Sequence, residues 1–176
     1  MNLKLSDETL SSIKNYHLPR YHEIPDVGLY LHQLVGYINE YLEPFTDMAI
    51  TESMVSNYVK QHLIDSPKKK LYKQEQIAYL ISISIIKSVL SLDNVRHLLD
   101  IQRKSYPSPI AYDYFCNEFE NILQYVFGVK DRVENIGSDS NDVKILFRNV
   151  IITAAHKIYL DHCFFAYKIR NEVSKN

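Results

Sequence analysis

The chain has 176 residues, 46% of them hydrophobic and 23% charged, with a formal net charge of −1. Such a length and balance suit an ordinary globular protein with a real core. Only 4 glycines and 6 prolines leave too few tight turns for an all-β fold, so a mostly helical, all-α chain is expected.

No basic stretch followed by an apolar run opens the chain, so "MNLKLSDETL" does not read as a signal peptide. The most apolar stretch, "IAYLISISIIKSVLSL", is broken by serines and Lys87 and falls short of the ~20 residues a membrane span requires. A cytoplasmic protein that does not enter the membrane is expected. Charge is unevenly placed. Residues 1–53 carry a net −5, residues 54–73 a net +4, and residues 74–176 balance. A local positive field is what an anionic partner would feel.

In chain order, residues 1–25 read as an amphipathic or loosely held N-terminal arm. Pro25 and Asp26 suit a helix start, and Leu31, Leu34, Val35, Ile38 and Leu42 follow at helical spacing until Pro44. Residues 44–50 connect to a second helix capped by Thr51, with Glu52 in its first turn. An advance of 100° per residue gives that helix, over 51–63, two faces. Met54, Val55, Tyr58, Val59, His62 and Leu63 gather on the burying side. Ser53, Ser56, Asn57, Lys60 and Gln61 gather on the other.

Pro67 and Lys68, Lys69 and Lys70 then form a turn, read as a small hairpin closed by Leu71 and Tyr72, with Lys73 behind it. A helix is expected over 73–89 despite the strand-like "ISISI". Ser91 caps another, with Leu92, Val95, Leu98 and Leu99 inward. Residues 103–108 read as a linker. Beyond it, Ala111, Phe115, Phe119, Ile122, Leu123 and Val126 form an apolar stripe that ends at Gly128, and the polar loop "ENIGSDSND" leads to a last helix over about 142–170. That helix is apolar on more than one face and needs burial on two sides.

Capped helix, two-faced helix, basic turn and two further helices follow the order of a winged helix-turn-helix. In that motif the second helix reads base edges in the major groove and the wing holds phosphates. Asn57 and Gln61 have the groups to pair with adenine, and Lys60 those to reach guanine or phosphate. "NYVKQHLIDSP", "KKKLY" and "LISISIIKSVLSLDNVRHLL" resemble the recognition helix, wing and following helices of MerR-type regulators. Ser56 stands where those proteins place a phosphate-gripping arginine. From "LPRYHEIPDVGLYLHQL" through "MVSNYVK", "KKKLY" and "LSLDNVRHLL", about residues 18–100, the chain also resembles a bacterial family classed as a domain of unknown function.

The resemblance implies a MerR-like winged helix-turn-helix over 26–102 and a transcriptional regulator that binds double-stranded DNA. A C-terminal helical region over 108–172 would join two copies into a homodimer, with no small-molecule effector identified. Ser53, Ser56, Asn57, Lys60 and Gln61 would lie in the groove, with Lys68, Lys69, Lys70, Tyr72 and Lys73 on phosphates. The alternative is a helical protein-interaction module without DNA binding, which the near-neutral total charge and Ser56 favour.

No GxSxG, P-loop or GxGxxG occurs, so no enzyme is read here. The seven histidines show no HExxH or zinc spacing, and no metal or cofactor is expected. Cys116 and Cys163 lie in apolar surroundings and read as buried thiols.

Overall fold

The computed structural model describes residues 5–45, 47–134 and 141–173. Helix dominates: α1 (Asp7–Lys14), α2 (Leu31–Leu42), α3 (Glu52–Lys60), α4 (Gln74–Ile86), α5 (Leu92–Ser105), α6 (Ser108–Val126) and α7 (Asp142–Val173). A 3-10 turn at Tyr21–Glu23 and two short strands, β1 (Leu29–Tyr30) and β2 (Leu71–Tyr72), complete the described elements.

The core is built around α4. Ile77, Leu80, Ile81, Ile83 and Ile85 are buried on all sides of it, with Ser84 among them. A helix apolar all round has to be a central one. Ser84 stays dry because its hydroxyl donates to the Leu80 carbonyl at 2.7 Å, so the alternating "ISISI" run is helical. Helices α2, α6 and α7 pack around α4, and α5 lies against α6 and α7.

Helix α5 runs to Ser105, leaving only Tyr106 and Pro107 between it and α6. One apolar core therefore continues from Leu5 to Cys163. Both cysteines are free and buried. Residues 135–140 of the expected polar loop lie outside the described residues.

Residues 5–24 do not hang loose. Ile13, Leu18 and Ile24 are buried, and a strap over residues 17–24 is bonded to α6. Arg20 sets two guanidinium nitrogens on the two Glu120 oxygens, each at 2.7 Å. Leu18 N–H donates to Glu120 at 2.8 Å, and Tyr21 N–H to Asp113 at 2.7 Å. The buried Cys116 thiol, which burial pushes up to about 12, faces the Pro19 carbonyl.

The first long helix starts at Leu31 rather than near Pro25, because residues 29–30 are drawn into a ladder. Leu29 stands opposite Tyr72 and Tyr30 opposite Leu71, antiparallel. Gly28 makes the approach, with φ +86° and the place of its missing Cβ only 3.1 Å from the Tyr72 carbonyl oxygen. A side chain there would meet backbone. The expected hairpin therefore takes a different form: β2 borrows its partner from upstream of α2.

Candidate nucleic-acid interface

The path into α3 is fixed from α2. Asn39 donates to the Ile50 carbonyl at 3.0 Å and accepts from Ile50 N–H at 2.8 Å. Phe45, Met48 and Ile50 are buried, so the path between the two helices is anchored by packing at these three residues. Thr51 then caps α3, its hydroxyl accepting from Met54 N–H at 3.2 Å.

The two faces of α3 separate as the helical spacing dictates, up to its last residue. Val55 and Tyr58 are buried, with Met54 and Val59 half-buried. Ser53, Asn57 and Lys60 are exposed, with Ser56 and Gln61 half-buried. Past Lys60 the spacing fails. Gln61 is already the C-cap and His62 turns left-handed at φ +56°. His62 is therefore exposed, not on the burying side as the sequence suggests, while Leu63 and Ile64 go inward.

Two of the outward residues are partly spent. Ser56 donates to the Glu52 carbonyl at 2.9 Å, and Gln61 donates to Asn57 at 3.3 Å. Two arginines of α5 brace the end of α3. Arg96 reaches the Gln61 carbonyl at 3.2 Å and Arg103 the Leu63 carbonyl at 2.8 Å. Cationic groups suit the negative end of a helix dipole.

The lysine turn is a two-residue reversal. Lys68 and Leu71 exchange backbone hydrogen bonds of 3.2 and 2.9 Å. Lys69 and Lys70 between them both take left-handed backbone, at φ +51° and +65°. That is a type I′ turn, normally made by Asn-Gly or similar residues. Lys68, Lys69 and Lys70 are exposed, and among the described residues no carboxylate pairs with them or with Lys60.

Two residues read from the sequence as phosphate ligands take other roles. Lys73 caps the start of α4 and turns its ammonium back on the Val27 carbonyl at 2.9 Å, so its charge is held by its own chain. Tyr72 is 5% exposed and belongs to the core, where burial raises its phenol. Tyr72 is thus out of a phosphate's reach, while Lys73 stays exposed with one bond of its ammonium taken by its own chain.

Tyr30 joins this surface without any mark in the sequence. The ladder sets it opposite Leu71, the residue that closes the lysine turn, with 55% of its surface exposed. A strand of two residues leaves no period by which it could be found.

In the C-terminal half, a cavity of about 30 Å³ lies between α4, α5, α6 and α7, lined by Tyr79, Leu98, Tyr112, Phe115 and Phe147 among others. That is room for about one water. No helix of the described residues is long and apolar enough to cross a membrane.

Residues 19–115 match the sequence pattern of the family described as Domain of unknown function (DUF1836). The match spans more than half of the chain and takes in most of the strap, α2, α3, the lysine turn, α4, α5 and the start of α6. No curated protein and no solved structure matches. The chain belongs to the DUF1836 family.

Proposed function

For this DUF1836 member we propose a DNA-binding regulator built on a MerR-like winged helix-turn-helix. Helix α3 lies in the major groove and the lysine turn on the phosphate backbone. The observation that carries it is the exposed, unpaired Lys68-Lys69-Lys70 turn eight residues beyond a capped helix. That helix's solvent side offers hydroxyl, amide and ammonium groups. Its one carboxylate, Glu52, has His32 at 3.3 Å.

Asn57, Lys60 and Gln61 are the base-edge candidates, with Ser53 beside them. Asn57 and Gln61 exchange their mutual 3.3 Å bond for bonds to bases. Lys68, Lys69 and Lys70 supply affinity without sequence choice. Tyr72 and Lys73 hold the turn in place. A single module of this kind covers little surface, so two copies read a two-fold site.

The test is binding to pooled duplex DNA from 50 to 200 mM salt. Affinity is expected to fall steeply with salt. Replacing Lys68, Lys69 and Lys70 by alanine should flatten the log–log slope by about 0.9 for each phosphate no longer neutralised. Salt-independent binding, or a slope the triple variant does not change, overturns the reading. A protein-interaction module without DNA binding is the second reading, favoured by the exposed Leu160 and Phe164 of α7. A stoichiometric protein partner with no DNA enrichment on co-purification supports it.

A further inference from the structure

Helix α7 has 32 residues, about 48 Å at 1.5 Å per residue. Its inward side is settled: Ile151, Ala154, Ala155 and Ile158 are buried. The opposite side carries Leu146, Asn149, Thr153, His156, Leu160, Phe164 and Tyr167, and all seven are exposed. Stepped at 100° per residue, they fall within an arc of about 80°. The spacing of three and four residues is that of a helix-pairing seam.

None of the seven is Asp, Glu, Lys or Arg. A helix face meant for water ordinarily carries such residues. Here they are absent over about 32 Å of helix, while Leu160 is 51% and Phe164 63% exposed. Lys157 at the edge is closed on Asp161 at 2.6 Å, the exposed Lys168 flanks the stripe near Tyr167, and Asp142 stands on the same line one turn before Leu146.

We infer that this stripe is a seam between two copies of the chain, with the two α7 helices side by side and parallel. With the two helices parallel, the two-fold axis runs along the seam and sets each residue against its own counterpart, so a charge there would meet its like; a stripe free of charge from Leu146 to Tyr167 suits that pairing. Parallel pairing sets Leu160, Phe164 and Tyr167 on their own counterparts. Asn149, Thr153 and His156 likewise meet their own kind. Antiparallel pairing centred on the stripe sets Asn149 against Phe164 and Thr153 against Leu160, which buries amide and hydroxyl against apolar groups. An asparagine in the seam fixes register and a two-stranded state. The seam does not depend on DNA binding and stands or falls separately from it.

The test uses the full chain. The wild type is expected to sediment as a dimer at micromolar concentration, and Leu160→Glu with Phe164→Glu as a monomer. Because both side chains face solvent in the single chain, helix content should hold and the unfolding midpoint of the variant should no longer depend on protein concentration, which separates lost pairing from lost folding. Thr153→Cys should cross-link to its own counterpart under mild oxidation, while the wild type, whose two cysteines are buried, should not. A monomeric wild type, or a dimer untouched by the two glutamates, overturns the seam. A dimer in which Thr153→Cys fails to cross-link overturns the parallel arrangement.

Discussion

The strap of residues 17–24 and the turn of residues 68–71 are both rich in charge, and they use it in opposite ways. In the strap, Arg20 is closed on Glu120 by two bonds of 2.7 Å, with the side chains only 18% and 14% exposed. That bond is the main cause of a guanidinium held still more firmly protonated than usual. In the turn, three lysines in a row stand in solvent with no carboxylate partner among the described residues, Lys69 and Lys70 on backbone that suits lysine poorly. Charge satisfied inside the molecule holds the fold. Like charge gathered and left open, at some cost in backbone strain, is the pattern of a surface kept for something outside.

The largest effect is expected at the strap. Arg20→Ala leaves Glu120 largely out of water with only the Leu18 N–H and His17 near it. Losing one partner of a pair this sheltered is expected to cost about 2–4 kcal/mol, read as a lower urea midpoint. Alanine at Lys68, Lys69 and Lys70 should move the same midpoint by no more than about 0.5 kcal/mol. If the two variants are equally stable, the strap is not structural in the sense argued.

The turn is expected to respond with the opposite sign. Left-handed backbone costs a residue with a side chain roughly 1–2 kcal/mol, and the type I′ turn prefers Asn-Gly. Lys69→Asn with Lys70→Gly should therefore stabilise the chain by about 1–2 kcal/mol, while weakening any binding to an anionic partner. A variant that is both more stable and a weaker DNA binder places the lysines there for function. A loss of stability would show that the lysine stems hold the turn through packing.

What the sequence makes legible divides along a similar line. The faces of α3 follow from helical spacing, and Thr51 as its cap from residue type, because both are local. Spacing misplaces His62 since nothing at Lys60 marks the end of the helix. It misplaces Tyr72, which joins the core beneath β2, and misses the Val27 carbonyl that Lys73 reaches, because both partners come from the far side of α2. The strap's bond to α6 joins residues a hundred positions apart, and no periodicity carries that distance. The uncharged seam of α7 shows as helical spacing in the sequence, but only the buried face of the helix tells which side is left over.

The smallest effect expected comes from a charge that is paired yet incompletely satisfied. Glu118 on α6 is fully buried, and Arg148 of α7 stands 2.9 Å from one of its oxygens without the alignment of a hydrogen bond. Burial raises its carboxyl above the usual range, and Arg148 pulls only partly the other way. The folded chain thus holds a proton there more tightly than the unfolded one. Its contribution is complete below the unfolded carboxyl value of ~4.3 and is lost as pH rises through the folded value. Glu118→Gln keeps the shape and cannot ionise. Its urea midpoint should gain on the wild type as pH is raised above ~4.3, levelling once the folded value is passed. Should the variant instead fall behind the wild type as pH rises, the pair with Arg148 outweighs the loss of water. Glu118 would then belong with Arg20 and Glu120 among the charges that hold this fold together.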